Sequence, residues 1–64
     1  MKYVVYYVED GKKRYLTADY ISTSTDPKQA KIFSVFQYAW IHAESNEYEL
    51  QEICDLEAFL NEKE

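Results

Sequence analysis

The stretch from Lys2 to Ile21, KYVVYYVEDGKKRYLTADYI, decides the fold. Its two arms, Lys2 to Val8 and Arg14 to Ile21, consist largely of β-branched and aromatic residues, and Asp10-Gly11 stands between them. Asp-Gly supplies the two positive-φ residues of a type I′ turn, so the arms are expected to pair as an antiparallel hairpin. A two-residue loop fixes the register: Glu9 faces Lys12, Tyr7 faces Arg14, Tyr6 faces Tyr15 and Val5 faces Leu16. One sheet face then carries Tyr3, Val5, Tyr7, Arg14, Leu16, Ala18 and Tyr20. The other carries Val4, Tyr6, Val8, Lys13, Tyr15 and Thr17. Neither face is plainly polar, so either both are covered or one is a contact surface.

Downstream of the hairpin, Ser22 to Thr25 is a polar connector ending in Asp26-Pro27-Lys28-Gln29. Asp26 can cap a helix, Pro27 suits its first position and Gln29 completes a capping box. A second box follows at Ser34-Val35-Phe36-Gln37. Two arrangements stay open: a short helical turn over 27–31, an extended Ile32-Phe33 and a main helix over 35–45, or one helix over 27–45. In both, Phe33, Phe36, Ala39, Trp40 and Ala43 form the buried stripe. Tyr48 to Cys54 reads as a third strand with Tyr48 and Leu50 on one side; Ile53 is out of phase, which predicts a bulge or an early strand end. Asp55 then caps a last helix reaching Glu62, with a narrow stripe of Leu56, Phe59 and Leu60. About eight residues do not hold a helix in water unaided, so this one must dock on the sheet, the main helix or a partner. The expected architecture is α+β in the order ββαβα, a three-stranded antiparallel sheet packed on one main helix with a short C-terminal helix, in a single domain over 1–64. The expected core is Val5, Leu16, Ala18, Phe33, Phe36, Ala39, Trp40, Ala43, Leu50 and Ile53.

A chain of 64 residues buries only about 60% of its unfolded surface. Seven Tyr, three Phe and one Trp supply the apolar area such a small core needs. They also exceed what it can enclose, and Tyr6 and Tyr15 are the expected surplus. A lone cysteine, Cys54, forms no internal disulfide, which points to a reducing compartment. No signal-peptide pattern follows Lys2, and no apolar run approaches the roughly 20 residues that span a bilayer. The chain therefore reads as cytoplasmic, with no membrane partner. The net charge of −5 is uneven: residues 1–33 carry +2 and residues 34–64 carry −7.

Few residues offer chemistry. His42 and Cys54 are the only imidazole and thiol; an ordinary half-buried histidine and a small buried cysteine describe them better than a nucleophilic pair. They do not suffice for a structural zinc site, and a single glycine excludes glycine-rich phosphate loops. The expectation is no enzyme, no metal and no cofactor. Glu44, Glu47, Glu49, Glu52, Asp55 and Glu57 are either a solvated acidic face or a strip that docks on a cationic surface. Their charge argues against direct nucleic-acid binding. The aromatic sheet face of Val4, Tyr6, Val8 and Tyr15 has basic neighbours only at the hairpin tip, unlike base-stacking sheets. It is expected to pack under the C-terminal helix, form a homodimer contact or meet another partner. Ser22 to Thr25 could accept phosphate, or simply feed the helix cap.

The run Ser24 to Ser34, with its D-P-x-x-A-x-x-F-S segment, followed by Ala39, Ala43 and Tyr48-Glu49-Leu50, resembles a pattern in very small accessory proteins of bacteriophages and prophages. The resemblance covers residues 24–53. It implies a non-enzymatic early product of the kind that binds and inhibits host or defence proteins, and it carries over no site residue. The expected function is a small non-catalytic protein-binding module acting through its acidic C-terminal half. One alternative is a small-molecule or nucleotide binder using the aromatic sheet face across a dimer interface, and another is a structural homo-oligomer.

Overall fold

The computed structural model describes residues 1–62. Strands β1 (Lys2–Glu9) and β2 (Lys12–Leu16) form the expected hairpin, paired Glu9 to Lys12, Tyr7 to Arg14 and Tyr6 to Tyr15. Asp10 and Gly11 both take positive φ, 54° and 77°, as a type I′ turn requires. The second arm ends earlier than its composition suggests. After Leu16 the chain turns back, with the Thr17 N–H donating to the Ser22 carbonyl (3.0 Å) and the Tyr20 N–H to that of Thr17 (2.9 Å). Ala18 and Tyr20 therefore leave the sheet, and Ala18 is exposed, not core.

The sheet has four strands, not three, because two residues of the supposed connector pair with β2. Strand β3 (Thr23–Ser24) lies at one edge, and the Arg14 guanidinium fastens it through Thr23 Oγ1 (3.1 Å) and the Thr23 carbonyl (3.2 Å). Two residues are too short for a hydrophobic period to register. A 3₁₀ turn follows at Pro27–Gln29, capped by the Asp26 carboxylate. Phe33 then forms a bridge to Tyr3, taking the place alongside β1 that β2 has vacated. The main helix α1 (Phe36–Asn46) comes next, then β4 (Glu49–Ile53), antiparallel to β1, and α2 (Leu56–Leu60). The strand order is β3-β2-β1-β4. The one-helix arrangement over 27–45 is thus excluded, and the second capping box is not formed: Val35 is the N-cap, and Ser34 Oγ instead accepts a hydrogen bond from Lys2 Nζ at 2.9 Å.

Two small cores lie on opposite faces of the sheet. Under α1, Val5, Leu16, Phe33, Ala39 and Ala43 pack together with Tyr3, Tyr48 and Leu50. Under α2, Val4, Tyr15, Ile53 and Phe59 form the second cluster. Ile53 is therefore in phase with the opposite face, and the ladder runs through it to Lys2 without a bulge. The short C-terminal helix persists because Phe59 is anchored edge-on against Tyr15, 5.3 Å between centroids, and because Asp55 caps it. Among the described residues, no helix is long and apolar enough to cross a membrane.

Candidate functional site

The surface that stands out is the outside of α1. Ala39 and Ala43, one turn apart, are its only buried residues, and their small size lets the helix axis approach the sheet closely. Each step along a helix rotates by about 100°, so the bulky neighbours of the two alanines are turned to the flanks and the outer face. Phe36 is 48% exposed, Tyr38 62%, Trp40 49% and Ile41 50%. Phe36 and Trp40, expected in the core, are corrected to half-exposed flank residues, with Phe36 resting edge-on against Tyr3 at 5.6 Å. Sequence reasoning took the 3.6-residue period to mark a single buried stripe. The missed signal was that the large apolar residues of α1 are spread around the helix and do not fall on one stripe, so that only two alanines face the sheet.

The expected acidic strip is not assembled as one face. Glu44 and Glu47 lie at the C-terminal end of α1, while Asp55 and Glu57 start α2 at the far end of β4. Glu49 and Glu52 pair with Tyr6 and Tyr3, whose side chains lie on opposite faces, so these two carboxylates also diverge. The Asp55 carboxylate accepts the Ala58 N–H at 3.1 Å. On the outermost strand, Glu49 and Glu52 have an ordinary structural use, since charges on an edge strand discourage pairing with other chains. Among the described residues no three Asp, Glu, His or Cys side chains gather as a metal site would need.

The aromatic sheet face divides. Val4 (0% exposed) and Tyr15 (3%) are core beneath α2, the packing under the C-terminal helix that was one of the three arrangements expected, so Tyr15 is not part of the aromatic surplus. Tyr6 remains half-buried, with the Lys13 ammonium 4.7 Å from its ring centroid, and Lys13 also donates to Gln51 Oε1 at 2.9 Å. Val8 is exposed near the hairpin tip. His42 stacks on Tyr20 (4.7 Å, 24°), and Cys54 follows β4 and is exposed, not buried as expected.

Fold and surface together define a small α+β domain with helices on both faces of an antiparallel sheet and large apolar side chains exposed on the main helix. No family model matches the chain, and comparison with curated proteins and with solved structures returns no match.

Proposed function

We propose that this chain is a small non-catalytic protein-binding module that docks the outer face of α1 into an apolar groove rimmed by basic residues on a partner protein. One observation carries the reading: Phe36, Tyr38, Trp40 and Ile41 are about half exposed on a single 11-residue helix. Large apolar side chains left half exposed within the first half of one helix form a contact surface, and aromatic residues there are typical interface anchors. The partner's charge follows from α1 itself, which has no Lys or Arg and ends beside Glu44 and Glu47. The acidic contribution is thus narrowed to those two carboxylates. The resemblance of residues 24–53 to phage accessory proteins supports the same kind of activity, with a host or defence protein as the target.

Affinity capture from the native cell with tagged wild type and a Trp40→Ala/Ile41→Ala variant tests this. The expected result is a basic partner retained by wild type, released by salt and lost with the variant. Capture unchanged by the variant, or by Glu44→Gln/Glu47→Gln at low salt, would overturn the docking mode. Neutralising Glu49, Glu52, Asp55 and Glu57 together is expected to leave capture intact.

A further inference from the structure

On the flank of α1 that carries Tyr38 and His42, away from Trp40, a groove of about 380 Å³ opens toward the loop that holds Tyr20. That volume is within the range of about 300–1,000 Å³ typical of small-molecule clefts. Its walls are formed chiefly by Tyr20, Lys31, Phe33, Val35, Tyr38 and His42, and no carboxylate lines it although the chain carries a net charge of −5. Lys31 is half-buried, its ammonium 5.7 Å from the Tyr20 centroid and 5.8 Å from that of Phe33. Among the described residues, no carboxylate pairs with it. The first turn of α1, whose N-cap Val35 contributes no side-chain acceptor, borders the same groove through Val35 and Tyr38.

The loop presenting Tyr20 is firmly built. Tyr20 has φ of 63°, which a residue with a Cβ adopts only when its surroundings impose it. Asp19 imposes it, accepting hydrogen bonds from Thr17 Oγ1, the Ile21 and Ser22 N–H groups and Ser22 Oγ, all within 2.8–2.9 Å. The Tyr20 ring is thereby laid on His42 and edge-on to Phe33, 6.2 Å between centroids, with part of its surface exposed.

We infer that this groove binds a small ligand combining one anionic group, a carboxylate or a phosphate, with a planar ring. The Lys31 ammonium and the positive end of α1 face the anion, and the ring lies against Tyr20 and Tyr38. A bare inorganic anion would leave most of the volume empty, and an uncharged ring would leave the partly desolvated lysine without a counter-charge. The groove shares Tyr38 with the docking face of α1 but is not lined by Trp40 or Ile41, the residues whose substitution tests that face.

Amide-shift titration of the full chain tests it, with phenyl phosphate, phenylacetate, inorganic phosphate and benzyl alcohol as probes. The expected result is saturable shifts over Lys31 to Tyr38 and at His42 with phenyl phosphate, phenylacetate or both, the stronger of the two identifying the anion. Lys31→Gln is expected to weaken binding about tenfold. Tyr20→Gly, which suits the positive φ and so keeps the loop, is expected to weaken it by a similar factor, whereas Trp40→Ala leaves it unchanged. The inference is overturned by the absence of saturation with both aromatic anions, by inorganic phosphate or benzyl alcohol binding equally well, or by unchanged binding in Lys31→Gln and Tyr20→Gly.

Discussion

Asp19 shows how much a single side chain fixes in so small a chain. Its carboxyl is held well below the ordinary carboxylate range, first by the Ile21 backbone N–H, then by that of Ser22, with the Thr17 and Ser22 hydroxyls adding to them. The folded loop therefore prefers the ionised form. The unfolded chain takes up a proton near the ordinary value of about 3.9, so the stabilisation is complete at neutral pH and declines as pH falls below about 5. Asp19→Asn is expected to lower the urea midpoint at pH 7, and the gap from wild type is expected to narrow at pH 3; a constant gap would show that the charge is immaterial. Gly11 makes a complementary case. Its φ is 77° and a Cβ there would meet nothing within 4 Å, so Gly11→Ala is a pure backbone test. The expected loss is about 1 kcal/mol by urea denaturation, the cost of placing an L-residue in the left-handed region. Both turns rest on local chemistry, yet only one was legible in the sequence. Asp-Gly announces itself by residue type, whereas the Asp19 turn depends on four donors closing around one carboxylate within a stretch whose composition suits a strand.

At the scale of elements, the two helices reverse their expected importance. Phe59 on the five-residue α2 is 5% exposed and closes the second core, while Trp40 on the eleven-residue α1 is 49% exposed. Phe59→Ala is expected to cost about 3–5 kcal/mol and Trp40→Ala less than about 1 kcal/mol, measured by urea denaturation. Total stability for this length is about 3–10 kcal/mol, so the first variant loses about a third of it or more, while the second keeps most of it. Comparable losses in the two would mean that Trp40 is packed and that the docking surface does not exist. The hairpin and its register were readable because turn type dictates pairing. Ile53 was misread because one face was assumed to hold all the apolar residues of β4; its apparent phase error is the sign of a second core. Strand β3 was invisible for a different reason, since its pairing is decided by β2 and by the reach of Arg14.

Across the whole molecule, charge and apolar surface oppose each other. Copies of a chain carrying −5 repel at low ionic strength, a force that opposes pairing of the exposed faces of α1. Sedimentation is therefore expected to show a monomer at low salt and, at most, weak association in high salt that Trp40→Ala/Ile41→Ala abolishes. A tight dimer at low salt would favour the homo-oligomer alternative over a basic partner. The carboxylates themselves were visible in the sequence, but their gathering into one strip was not a property of sequence spacing. Alternation along β4 sends Glu49 and Glu52 to opposite faces, and the length of the strand parts Glu44 and Glu47 from Asp55 and Glu57.

The sequence by itself determined the hairpin, its register, the capped starts at Asp26 and Asp55 and the α+β class. Each of these follows from interactions spanning a few residues, which residue type and period encode directly. Only the tertiary structure decided which aromatics are core. Tyr15 is enclosed because α2 folds over it, and Phe36 and Trp40 stand half open because two alanines set how α1 meets the sheet. Burial depends on what arrives from elsewhere in the chain, and the same apolar side chain is core or contact surface according to whether another element covers it.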